Sequence, residues 1–260
     1  MGNGLLISMC KGVSTFAAVI VLSACVTEQK GSLADDEKAM QFTTQLARNY
    51  VRDGKWEAAQ RNLKVAQNID PNNPEVNELM AMVYANTGEM ELANRYYSTA
   101  VSTAQAEEKS RIRNNYAAFL YGQKNYVKAA DELEDVVADV TYTNRALAFL
   151  NLGRCYLQLQ DYGKAKTALD RAYQFNQTDP LLLLELTDVY FQQKEYAKAQ
   201  QFYDQFRKMV TTQSPRSLWL GIQLAAQFGD SNAIASYGLA LKNLYPKSQE
   251  YLDYRAKYER

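Results

Sequence analysis

The chain has 260 residues, with 29 basic and 29 acidic side chains and no histidine. A formal charge of zero leaves no basic footprint for nucleic acid, and the missing imidazole removes the commonest general base, the histidine-dependent hydrolase triads and any histidine-ligated zinc site. Only 12 glycines and 5 prolines among 47% apolar residues describe a folded and largely helical chain.

The N-terminal segment carries one charge, Lys11, before an apolar run from Val13 to Leu22. That run is about half of the roughly 20 residues a membrane helix needs, so it reads as a secretory signal and not a span. It ends in Leu22-Ser23-Ala24-Cys25, which resembles the lipobox of bacterial lipoproteins. The resemblance implies diacylglycerol transfer to the Cys25 thiol, cleavage after Ala24 and acylation of the new amino group. Residues 1–24 are thus expected to be a lipoprotein signal peptide. Val26 stands where lipoproteins held at the inner membrane usually carry Asp, so the implied destination is the periplasmic face of the outer membrane. Three acyl chains on one cysteine anchor a protein in effect permanently, since each buried methylene adds about 0.8 kcal/mol.

Residues 25–36 are expected to form the lipidated N-terminus and a flexible tether, because Thr27 to Asp36 is polar and carries Gly31 and Ser32. With Cys10 in the signal and Cys25 lipidated, Cys155 is alone within the apolar stretch Leu150–Leu159. It reads as a buried structural thiol, with no histidine to activate it. No phosphate loop, metal-ligand cluster or catalytic constellation is present in the sequence. The expected cofactor list is empty apart from the covalent lipid on Cys25, and no enzyme activity or small-molecule substrate is expected.

From residue 37 the chain repeats. Large residues recur at Trp56, Met90, Tyr126, Tyr162 and Tyr196, with spacings of 34, 36, 36 and 34. Tyr50, Tyr84, Leu120, Tyr156 and Tyr190 precede them, and Ala59, Ala93, Ala129, Ala165 and Ala199 follow. Small residues Ala47, Ala81, Ala117 and Gly153 occupy a further position, where Thr187 departs from the pattern. This is the signature of the tetratricopeptide repeat, a helix pair that buries its apolar face only by stacking on neighbours. Units are expected near 40–73, 74–107, 110–143, 146–179 and 180–213, with a degenerate sixth at 215–246 after Ser214-Pro215. Residues 247–260 are expected to form a capping helix. The resulting fold is an all-α, right-handed α-solenoid of about six repeats over residues 37–246, its first helices lining a concave face.

Signature residues are core, so partner-binding residues must come from other first-helix positions. The register places Thr44, Arg48 and Val51 of repeat one and Met82 of repeat two on the groove. In repeats four and five it places Leu150, Leu157, Leu184 and Phe191 there, an apolar cluster where solvent is expected. Such a patch marks a partner surface, unless the repeats pack more deeply than the register assumes and these residues are core.

The lipobox, the tether, six repeats and the ending Leu244-Tyr245-Pro246 with Ser248-Gln249-Glu250-Tyr251 together resemble one family. It is the PilF/PilW family of type IV pilus biogenesis and stability lipoproteins, the pilotins of the pilus secretin. The resemblance implies a non-enzymatic outer-membrane adaptor that binds secretin subunits and promotes their outer-membrane targeting and multimerisation. It also implies a partner groove near the first repeats. A lipoprotein scaffold recruiting a cell-wall enzyme or an outer-membrane assembly complex is the alternative reading.

Overall fold

A computed structural model describes residues 33–259. Among the described residues there are thirteen α-helices and no strand. They pair as α1 (Leu33–Arg52) with α2 (Trp56–Ile69), α3 (Pro74–Thr87) with α4 (Met90–Thr103), and α5 (Ala106–Gly122) with α6 (Tyr126–Ala138). The series continues with α7 (Arg145–Gln158) and α8 (Tyr162–Phe175), α9 (Pro180–Gln192) and α10 (Tyr196–Met209), and α11 (Pro215–Gln227) and α12 (Ser231–Leu244). The last helix, α13 (Gln249–Tyr258), packs on α11 and α12. The fold is an all-α tetratricopeptide solenoid.

Two boundaries differ from the sequence reading. Residues 33–36, assigned above to the tether, are the first turn of α1, where Asp35 and Asp36 suit the positive end of the helix dipole. The third unit opens at Ala106 rather than at 110. The expected signal peptide, the Cys25 lipidation site and the rest of the tether lie outside the described residues.

Helix starts are written in the chain. Asn73, Asp179 and Ser214 accept a hydrogen bond from a first-turn backbone N–H, and each is followed by a proline at the first helical position. Asn125, Asp161, Asp230 and Ser248 cap α6, α8, α12 and α13 in the same way.

Every intra-repeat turn uses one device. A residue in the left-handed region ends the first helix: Gly54, Gly88, Lys124, Gln160, Lys194 and Gly229, with φ between 59° and 91°. The next N–H then bonds back to the carbonyl of Tyr50, Tyr84, Leu120, Tyr156, Tyr190 or Ala225, at 2.8–3.0 Å. Three of the six positions hold side chains that this conformation strains by about 1 kcal/mol. Gln160→Gly is therefore expected to raise the melting temperature, by up to about 1 kcal/mol of stability, and Gly88→Ala to lower it by a similar amount. Thermal unfolding of the two variants checks both signs.

The small signature positions are closed. Ala47, Ala59, Ala81, Ala93, Ala117 and Ala129 are fully buried. A Cβ on Gly153 would stand 2.5 Å from Leu169 Cγ, which explains the glycine. Thr187 fills the corresponding place in α9 by turning its hydroxyl onto the Leu183 carbonyl, 2.8 Å away.

Across repeats, first helices touch directly: α1 with α3, α5 with α7, α7 with α9 and α9 with α11. Second helices make no comparable contact among the described residues, so the stack closes on the first-helix side and that side is the inner face. The row is interrupted once. α3 and α5 stand further apart, and the apolar core divides nearby into one cluster centred on repeats one and two and a larger one running from repeat two to α11.

Candidate partner-binding face

A polar ladder runs along the inner face, linking each first helix to the next. Arg48 of α1 pairs with Glu75 of α3. Glu78 of α3, 2% exposed, accepts from Arg111 Nη1 at 2.5 Å and Asn115 Nδ2 at 2.7 Å, both from α5. Asn151 of α7 donates to Asn114 of α5 at 3.3 Å. Arg154 of α7 lies 3.5 Å from Glu185 of α9 and over the Tyr121 ring. Arg216 of α11 then grips Glu185 with two nitrogens, at 2.8 and 2.6 Å, and reaches Asp188 at 2.8 Å. Burial opposes the Arg216 charge, yet Glu185 and Asp188 outweigh it and hold the guanidinium above its ordinary pKa.

Where α3 and α5 separate, the face opens into a recess of about 390 Å³. Val51 of α1 with Leu79 and Met82 of α3 line its apolar part; Arg48, Arg52, Glu75, Glu78, Arg111 and Asn115 line the remainder. Across it, Glu78 of α3 meets Arg111 and Asn115 of α5.

Three of the residues read from the sequence, Arg48, Val51 and Met82, meet in this recess. Thr44 does not: it is buried in α1, and its hydroxyl has no hydrogen-bond partner among the described residues. The apolar patch of repeats four and five is a correction. Leu150, Leu157 and Leu184 are 3%, 8% and 6% exposed and belong to the main core, and Phe191 packs against it with its ring 5.5 Å from Tyr196. The inner face is narrow there because α7 lies against both α5 and α9, so side chains that the register turns toward solvent are covered by the next repeat. Cys155 is buried, and burial pushes its thiol up to about 12, against the opposing charge of Arg154. It is inert at neutral pH.

Comparison with known proteins follows the same outline. A family model for the tetratricopeptide repeat matches residues 156–214. The type IV pilus assembly protein PilF of Pseudomonas aeruginosa is 35% identical over 246 residues, covering 93% of this chain and 96% of that protein. The chain belongs to the PilF family of type IV pilus tetratricopeptide-repeat proteins. A solved structure of Pseudomonas aeruginosa PilF superposes with a TM-score of 0.76 at 36% identity, over 85% of this chain and 99% of that one. The structure of PilW, a widely conserved type IV pilus biogenesis factor, gives 0.72 at 25% identity, over 82% and 97%. As a PilF-family member, the chain is a non-enzymatic scaffold of type IV pilus biogenesis.

Sequence reasoning missed the ladder in this PilF-family protein. The register turns Glu75, Glu78, Arg111, Asn114, Arg154 and Asp188 toward the groove, but neither their pairing from helix to helix nor the parts of Glu185 and Arg216 are read from it. Their signal was one of spacing: Glu78 and Arg111 are 33 residues apart, and Glu185 stands 31 residues from both Arg154 and Arg216. Opposite charges just under one repeat apart fall side by side on successive first helices.

Proposed function

We propose that this chain is a lipid-anchored outer-membrane adaptor, a pilotin, that binds the type IV pilus secretin and promotes its outer-membrane targeting and multimerisation. The lipid sits on Cys25 and holds the protein at the periplasmic face. The recess between α1, α3 and α5 grips the secretin subunit, which then travels with the lipoprotein to the correct membrane. The observation that carries this reading is the position of the recess. It is the place where the inner face of a PilF-family solenoid opens over an apolar lining, and it lies in the repeats nearest the anchor. The eight residue steps from Cys25 to Leu33 span at most about 29 Å, and α1 adds about 27 Å from Leu33 to Val51 at 1.5 Å per residue, so a partner held there stays within about 56 Å of the bilayer.

Cys25→Ser is expected to release the protein from the outer membrane as a soluble, folded species, and secretin rings should fail to accumulate there. Met82→Glu should keep helicity and membrane location yet weaken secretin capture about thirtyfold, the loss of one anchor of roughly 2 kcal/mol. Fractionation, circular dichroism and copurification from detergent-solubilised envelopes read these outcomes. Persistence of Cys25→Ser in the outer membrane after deletion of the secretin would refute the anchor. Copurification of a cell-wall enzyme or an outer-membrane insertion complex without secretin would replace the adaptor reading by the general scaffold.

A further inference from the structure

The recess is not electrostatically neutral. Arg48 is matched by Glu75 and Arg111 by Glu78, but Arg52 has no carboxylate within ion-pair distance among the described residues. Its Nη2 donates to Asn49 Oδ1 within the same helix, at 3.1 Å. Three guanidinium groups thus border the apolar lining against two carboxylates. Arg111 adds to the excess, because its side chain is 44% exposed while its partner Glu78 is 3% exposed. The Glu78 charge is sunk into the wall, Glu75 is partly exposed, and the guanidinium groups of Arg48 and Arg111 are more exposed than either carboxylate.

We propose that the recess selects a partner segment in which an aliphatic side chain is flanked by a carboxylate. The aliphatic group fills the space over Val51, Leu79 and Met82, and the carboxylate lies against Arg52 and Arg111. The volume, near the lower end for ligand sites, suits one or two side chains of a segment and not a complete small molecule. A guanidinium also matches a carboxylate bidentately, which fixes orientation as well as charge. A lysine or arginine beside the anchor meets uncompensated positive charge, so basic flanks are rejected. This inference rests on the recess being the partner site, and it adds which partner segments fit.

Two peptide arrays probed with the detergent-purified protein test it. One carries overlapping 15-residue peptides of the type IV pilus secretin from the same cell, and the other carries peptides of unrelated envelope proteins. Wild type is expected to bind aliphatic peptides with Asp or Glu flanks. Arg52→Glu should cut that binding about tenfold at 50 mM salt and by less at 500 mM, and Arg52→Gln should fall between. Met82→Glu should weaken it about thirtyfold at both salts, with helicity unchanged. Binding that is weakened in Met82→Glu but indifferent to Arg52→Glu and to flank charge would overturn the carboxylate selectivity and leave the secretin reading intact. Acidic-flanked peptides bound only from the second array, with the same dependence on Arg52, would support the selectivity and remove the secretin. No binding on either array overturns the proposal.

Discussion

Gly221→Ala is expected to destabilise the chain by about 3 kcal/mol, the upper end of ordinary overpacking. Alanine at an interior helix position normally gains about 1 kcal/mol over glycine. In α11 the added Cβ would stand 2.1 Å from Tyr203 Oη and 2.7 Å from Cζ. Tyr203 lines a recess of about 250 Å³ together with Gly221, but it can shift only by giving up its contacts. It is 1% exposed, its hydroxyl lies 2.8 Å from Gln213 Oε1 and 2.9 Å from the Ser217 carbonyl, and its ring meets Phe206 and Tyr237. Gly122→Ala supplies the contrast, because that glycine ends α5 with nothing within 4 Å of the new Cβ. It should be neutral or stabilising. In a solenoid, neighbouring units carry the loss, so hydrogen exchange should locate the Gly221→Ala damage in α10–α13 and spare α1–α4. Equal urea midpoints for both variants would contradict the packing described.

The second large effect is expected at the ladder. Arg216→Ala strands the Glu185 carboxylate, 3% exposed, with only Arg154 at 3.5 Å. Breaking a buried pair from one side costs more than the pair contributes, because an uncompensated charge stays behind. A loss of about 3 kcal/mol is expected, toward the lower end of the buried range because the Arg216 side chain is 43% exposed. Glu185→Gln combined with Arg216→Ala should recover part of it, since an amide is less costly to bury than a charge. Urea unfolding of the single and double variants reads the difference. If the double variant is as unstable as the sum of the two single ones, Glu185 and Arg216 do not act as a pair.

The repeat period was legible because packing requires it. Small residues at helix crossings and large residues after each turn are needed by every unit, so they recur at 34–36 residues whatever the protein does. Turn residues were less legible. Gly54 and Gly88 announce a left-handed position, whereas Lys124, Gln160 and Lys194 take the same conformation without any residue-type signal. There the helix ends are set by the shared hydrogen bond back into the first helix.

The sequence by itself determined the element order, the pairing of helices and the core positions Ala47, Ala93, Ala129 and Ala199, since local periodicity decides which side of a helix is apolar. It also placed Arg48, Val51 and Met82 on the inner face of neighbouring helices. Tertiary structure alone decided how open that face is. Leu150, Leu157 and Leu184 also face inward, yet they are core where α7 packs directly on α5 and α9; Val51, the register equivalent of Leu157, is as buried and forms the wall of the recess. Around Met82 the face stays open, and there α3 and α5 meet through Glu78, Arg111 and Asn115 without the direct helix contact that α7 makes with α5 and α9. Depth of a groove depends on the distance between successive repeats, and that distance is fixed by side chains meeting from helices about 33 residues apart. A single-helix pattern carries no record of it.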